Sequence, residues 1–487
     1  MQSSFSLLDW SIFGAYFLIL AVTSYILAQT KIKTSREYFV SANSMPMIVV
    51  AISVLATSQS AATFLGAPEF SYKHDFTFIG FYISGLLAVI FVAYVLIPKF
   101  YAIKAVTVYE LLETRYGESA KKQAGVMFLI GRVLASGARL YIGALAISMI
   151  LFGDILFVNV LLSIIILMLG ALAYTYFGGI KSVILSDIIQ AITYVGAGII
   201  VLVYLYYSLD SVNIMQVLSE NDKLRIFDTS IDGKFSIIGL LSGWLLLNIA
   251  AFGLDQDMTQ RVLSCKNKQE AAKSLIVSIL LTIPVVLIFL AIGALLFVFY
   301  HQANVVQSFD GENITIFMYY ILNEMPDGLR GLVTVGAIAA ALSSTNSVLG
   351  AMASVAIEDL YKPWKLKQGE IDEMHFVKAS RNAVILFAVV LSLMAMVSYF
   401  WQRYSDLSLI GFALGVMAFA YTGLLGVFFS AIFTNRGNSK LVPYALIGGF
   451  ITVLSLQPYT FGISLGFSWQ IVIGTIVAFG IMQTSRS

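Results

Sequence analysis

Two short stretches carry oxygen-rich side chains in otherwise apolar surroundings. The first is Ala56-Thr57-Ser58-Gln59-Ser60-Ala61-Ala62-Thr63. The second is Ala337-Ile338-Ala339-Ala340-Ala341-Leu342-Ser343-Ser344-Thr345-Asn346-Ser347, with four hydroxyls and an amide in five consecutive positions. Neutral oxygens of this kind are ligands for a hard cation, and sodium is one such ion. Two plainer uses compete with that reading: small side chains let helices pack closely, and hydroxyls bond back to their own helix. A run such as 56–63 is also what a locally unwound helix needs if its freed carbonyls are to bind a cation or a substrate. Asp187 stands in an apolar stretch, about 9 Å from its nearer end at the helical rise, where a carboxylate could neutralise a bound cation. Arg132 and Arg139 are seven residues apart, which is two helical turns, so they share a face with Ser136 between them. An arginine at the middle of a bilayer costs about 2.5–3.5 kcal/mol on insertion scales. Its planar fork fits a carboxylate. Arg132 therefore has two open readings, an anionic substrate or an internal ion pair. For Arg139 the ion pair is preferred, with Glu69 as its partner.

These residues sit in a chain of 487 residues that is 59% hydrophobic and 11% charged, roughly half the charge of a soluble domain. The apolar residues fall into thirteen blocks, at about 8–30, 46–71, 77–98, 122–151, 155–177, 182–209, 236–259, 271–300, 328–357, 378–401, 404–433, 441–458 and 463–483. Blocks of about twenty residues span a bilayer as helices, and the short alternating segments of a barrel are absent. The first block has no basic region before it and no small-residue cleavage site after it, so it reads as a retained helix. The oxygen-rich stretches lie in the second and ninth spans, Arg132 and Arg139 in the fourth, Asp187 in the sixth. Of the 29 basic residues, 21 fall on the side shared by the C-terminal tail and the loops after odd-numbered spans, and 6 on the other. The excess places the N-terminus outside and the C-terminus in the cytoplasm. The one cysteine, Cys265, permits no intrachain disulfide, and His74, His301 and His375 are not at metal-ligand spacing. Phosphate-binding loops and soluble catalytic modules are also absent.

At this point the sequence resembles the sodium–solute symporter family, over about 35–435. The resemblance rests on the Ser/Thr-rich second span, on Gly178-Gly179-Ile180-Lys181 leading to Ser186-Asp187-Ile188-Ile189-Gln190, on Asp255-Gln256-Asp257-Met258-Thr259-Gln260-Arg261, and on Glu358-Asp359-Leu360-Tyr361 at the end of the ninth span. It implies an all-α polytopic membrane protein with a LeuT-like core of ten helices in two inverted halves. Those halves would be 46–209 and 236–433, with an extra helix at 8–30 before them and two at 441–483 after. The whole chain, 1–487, would form one transport domain. The resemblance also implies a principal sodium site of the Ala56, Gln59 and Ala340 carbonyls with the Ser343 and Ser344 hydroxyls. Some members have a second site. Its counterparts here are Ser343 or Ser344, Asp187, Asn346 and Ser347, with Asn346 standing where those members have serine. Members that carry sialic acid have an Ile-Gly-Arg whose arginine meets the substrate carboxylate, and Ile130-Gly131-Arg132 resembles it. Ser58, Ser60, Thr63 and Phe78 fall at the matching substrate-lining positions. Phe81-Tyr82 replaces a glutamine that follows Phe78 in those members.

The resulting expectation is a sodium-coupled symporter, not an enzyme, that imports a small organic solute by alternating access. The solute is expected to bear a carboxylate, as sialic acid or a related sugar acid does. A neutral sugar or polyol carrier with a structural Arg132 is the alternative. A membrane sensor on the same scaffold is the alternative from another class. A membrane enzyme would have to use Asp255 and Asp257 near Arg261. The expected partners are the solute, sodium and the lipid bilayer of the plasma membrane, with no nucleic acid, and the chain is expected to be a monomer.

Overall fold

The computed structural model describes residues 5–29, 32–210, 212–231, 233–300, 305, 307–309, 312–369, 371–403, 409–462 and 465–485, without the side chains of 28, 403, 409–418, 458 and 459. The last residue of the first expected span, the first five of the eleventh, the first two of the thirteenth and His301 lie outside the described residues.

Helices fill the apolar windows. They are α1 (Leu7–Ala28), α2 (Met47–Ser58), α3 (Ala61–Lys73), α4 (Ile79–Ala102), α5 (Glu118–Phe152), α6 (Phe157–Ser208), α7 (Ile237–Gly253), α8 (Gln256–Val262) and α9 (Lys268–Phe299). They continue with α10 (Leu329–Leu366), α11 (Glu373–Arg403), α12 (Leu409–Phe433), α13 (Val442–Ser455) and α14 (Phe467–Gln483). Among the described residues, seven helices are long and apolar enough to cross a membrane, or nine if the bent pairs α2–α3 and α7–α8 each count as one span. Helices α13 and α14 and the part of α12 from Phe419 to Phe433 are apolar but shorter.

Two expected spans, the fifth and sixth, run together as the 52 residues of α6. The joint is Gly179, at φ 56° and ψ −153°, a conformation open essentially to glycine alone. A Cβ there would stand 2.4 Å from the Tyr38 carbonyl oxygen. Widened turns at Val92–Leu96 and Val355–Tyr361 come just before Pro98 and Pro363. Proline lacks an amide donor and its ring collides with the carbonyl four residues back, and a widened turn relieves both.

Burial sorts the helices. In α10, 89% of the apolar window is buried, against 17% in α1. Helix α10 is the centre of the bundle and packs most extensively on α6. Helix α1 lies outside it but is tied to its end. Asp9, fully buried, accepts from the amides of Gly328 at 2.8 Å and Gly331 at 2.7 Å, satisfying amides at the N-terminus of α10 that have no intrahelical partner.

Candidate functional site

The second span breaks where its side chains are smallest and most polar. Gln59 (φ −94°, ψ 145°) and Ser60 (φ −142°, ψ 171°) are extended, and α2 and α3 meet at 64°. The Gln59 amide closes the last turn of α2 on the Leu55 carbonyl at 3.3 Å. The next four carbonyls, Ala56 to Gln59, have no further helical amide to accept from. The break therefore releases the two carbonyls, of Ala56 and Gln59, that the principal sodium site calls for.

The hydroxyl run of α10 lies against this break, with Thr57 Oγ1 and Ser347 Oγ 3.1 Å apart. Three of its hydroxyls bond back to their own helix. Ser344 reaches the Ala340 and Ala341 carbonyls at 3.3 and 3.0 Å, Thr345 reaches Ala341 at 2.8 Å, and Ser347 reaches Ser343 at 2.5 Å. A hydroxyl that donates keeps its lone pairs, so these bonds orient the oxygens without spending them as ligands. Ser343 instead donates across to Asp187 Oδ1 at 2.8 Å.

From Asp187 a chain of buried charges runs through the protein. Asp187 Oδ2 accepts from Ser53 Oγ at 2.5 Å and from Arg261 Nε and Nη2 at 3.3 and 3.2 Å. Arg261 Nε also donates to Ser53 Oγ at 2.9 Å, and Nη2 to Ser347 Oγ. Its Nη1 donates to the Asp257 carbonyl at 2.8 Å and carboxylate at 3.4 Å. Asp257 Oδ2 lies 3.4 Å from Arg132 Nη2, which is bonded to Asp255 Oδ2. The Tyr421 hydroxyl donates to that same oxygen. The break between α7 and α8, a bend of 56°, sets these carboxylates. Asp255 is the N-cap of α8 and accepts from the Asp257 amide at 3.0 Å, the usual service of an aspartate at a helix start.

The expected site residues are thus partly assembled and partly redirected. Ser343, Ser347 and Asp187 are brought together. Asn346 is fully buried, and neither side-chain atom of its amide has a hydrogen-bond partner among the described residues. Ser58 and Ser60 flank the break and Thr63 follows within the first turn of α3. Phe78 precedes α4 and packs among Phe70, Phe81, Tyr82 and Phe235, with ring centroids 5.2–6.2 Å apart. Arg132 has internal partners, Asp255 and Asp257, in place of an open carboxylate seat. Its Nε and Nη1 are buried without a partner among the described residues, beside a narrow cleft lined by Phe128, Ala135, Ala420 and Leu424. Glu69 is held by Lys73 at 2.5 Å and by the Ile316 amide at 2.6 Å, and the described residues show no bond from it to Arg139. Arg139 lies instead within the electrostatic reach of Arg132, Asp255 and Asp257. Four residues on from it, a Cβ on Gly143 would be 3.2 Å from the Cβ of Ala341 and 3.7 Å from that of Ala61. Residues four apart share a helix face. Arg139 is therefore about 6 Å along the helix from the level of the break, and Arg132 about 16 Å.

Ser53 and Tyr421 belong to the site and have no separate signal in the sequence. Ser53 is one turn before Thr57 on the same face, and only its contact with Asp187 distinguishes it from a packing serine.

The sodium:solute symporter family is matched over residues 38–451. The sodium/sialic acid symporter SiaT of Proteus mirabilis is 28% identical over 91% of this chain and 88% of its own length. The sodium/sialic acid symporter NanT of Aliivibrio fischeri is 28% identical over 97% of this chain and 92% of its own. A solved structure of a Na+-coupled sialic acid symporter, substrate-bound and outward-open with a novel Na+ site, superposes with a TM-score of 0.85. It is 25% identical, over 99% of this chain and 98% of that one. With the broken helices, the freed carbonyls and the hydroxyl run in place, the chain belongs to the sodium:solute symporter family, and is a multi-pass membrane carrier that moves a small solute with sodium.

Proposed function

We propose that the protein imports a carboxylate-bearing solute, sialic acid or a related sugar acid, with sodium by alternating access. The observation that carries this reading is the packing of the α2–α3 break, with its freed Ala56 and Gln59 carbonyls, against the hydroxyl run of α10, where Thr57 Oγ1 lies 3.1 Å from Ser347 Oγ. Sodium held by these groups and the Ala340 carbonyl would bridge two half-repeats, 46–209 and 236–433. Each half opens with a broken helix, as two copies of one five-helix unit would. Bound sodium would draw the halves together on the outer side and complete a chamber bordered by Ser58, Ser60, Thr63 and Phe78. The solute binds there, the outer path closes, and both leave inward. The similarity to two sialic acid symporters at 28% identity supports that substrate class.

Of the two arginines in α5, Arg139 is the better placed for a carboxylate, being one turn from the level of the break. Arg132 serves the inner ion-pair chain. The same engagement of Arg132 favours a second reading, a neutral sugar or polyol as the solute. The asymmetry of basic residues supports an N-terminus outside a plasma membrane and a C-terminus in the cytoplasm, and we read the chain as a monomer in the lipid bilayer and as a carrier without catalytic activity.

Thermal unfolding of the purified protein against sialic acid, neutral sugars and organic acids, with and without sodium, tests this. Sialic acid is expected to raise Tm only with sodium, and Arg139→Ala to abolish that rise while leaving the sodium effect intact. Sodium-dependent stabilisation by a neutral sugar, unaffected by Arg139→Ala, would transfer the assignment to the second reading.

A further inference from the structure

The groups that would make a second sodium site are already bonded to a cation that belongs to the protein. Arg261 is 0% exposed, and each of its three guanidinium nitrogens has a partner. Nε and Nη2 reach Asp187 Oδ2 at 3.3 and 3.2 Å, Nη2 also reaches Ser347 Oγ, and Nη1 is fixed by Asp257. Asp187 and Ser347 are two of the oxygen donors such a site would need. Another, Asn346, has its amide directed to no partner among the described residues. A sodium ion entering here would have to displace a guanidinium held by charge-assisted bonds, the stronger kind, and leave it buried.

We propose that Arg261 acts as a built-in cation in the second site, so that the protein binds and transports a single sodium ion per cycle. Arg261 is a positioning residue in this account. It holds Asp187 in the orientation that polarises Ser343 and denies Asp187 to a second ion. The inference rests on the symport reading above. For a solute with one negative charge, the consequence is an electroneutral cycle, in which membrane potential adds nothing. Two sodium ions would add about 2.3 kcal/mol per 100 mV.

Equilibrium binding of radioactive sodium to the purified full-length protein, without any organic solute, reads the number directly. One ion per chain is expected, and none after Ser343→Ala combined with Ser344→Ala. Arg261→Ala is expected to raise the count to two by releasing Asp187 and Ser347. If that variant does not fold, Asp187→Asn gives the same decision, because the count is expected to stay at one. Two ions in the unchanged protein, falling to one in Asp187→Asn, overturn the inference while leaving the symport reading intact. No saturable sodium binding at all overturns the symport reading itself.

Discussion

Arg132 is the residue whose surroundings most change what its type suggests. As an arginine within an apolar span it reads as a seat for a substrate carboxylate, but in the fold it is matched to Asp255 and Asp257 across from α5. Breaking a buried pair by removing one partner costs about 3–5 kcal/mol, because the other charge is left uncompensated. Asp255→Asn is therefore expected to lower stability by that order in chemical unfolding. Combining it with Arg132→Met is expected to recover most of the loss, since no charge then lacks a partner. A double variant no more stable than Asp255→Asn would show that the two side chains act separately. Ser343, Ser344 and Asp187 were legible as candidates because hydroxyls and a carboxylate are costly in a membrane span. Ser53 was not, because one serine in an apolar helix is unremarkable until its neighbour is known. The Glu69–Arg139 pair failed for the complementary reason. Charge type suggests partners but not reach, and Glu69 finds nearer ones in Lys73 and the Ile316 amide.

The helices themselves follow closely from hydrophobic patterning, whereas the breaks that give them function do so unevenly. The α2–α3 break sits in a visible run of small polar residues. The α7–α8 break at Leu254-Asp255 has no such run, and it is only the N-capping carboxylate that marks it. The joint at Gly179 is marked by a glycine pair, Gly178-Gly179, whose need lies in a conformation only the folded chain reveals. Gly179→Ala is expected to destabilise the protein by about 1–3 kcal/mol from backbone strain, with a further loss from the contact with the Tyr38 carbonyl. A Tm within a degree of the unchanged protein would contradict this account of the joint.

The turn between α8 and α9 carries Cys265, fully buried, with its carbonyl accepting from the Tyr101 hydroxyl at 2.9 Å. Burial pushes its thiol up to about 12, against a usual value near 8.5. Only the thiolate is nucleophilic, so alkylation of the folded protein is expected to be slow at pH 7–9, and fast at pH 9 once denaturant exposes the thiol. Rapid labelling of the folded protein at pH 7.5 would mean this turn opens freely.

The molecule as a whole joins a rigid centre to an asymmetric surround. Helix α10 is almost wholly buried and carries three of the five groups proposed to hold sodium. Helix α1 lies at the periphery but caps the start of α10 through Asp9, which ties a peripheral element to the helix proposed to bind the ion. The architecture was legible because each span announces itself by composition. The wiring between spans was not, because it depends on which faces meet. The central claim, that sodium bound between α2–α3 and α10 drives solute inward, is tested most directly by uptake of radiolabelled sialic acid into proteoliposomes under an inward sodium gradient. The account predicts accumulation that requires the gradient, collapses when sodium is equalised across the membrane, and is lost in Ser343→Ala combined with Ser344→Ala. Uptake that proceeds equally with potassium in place of sodium, or that survives the loss of both hydroxyls, would contradict it.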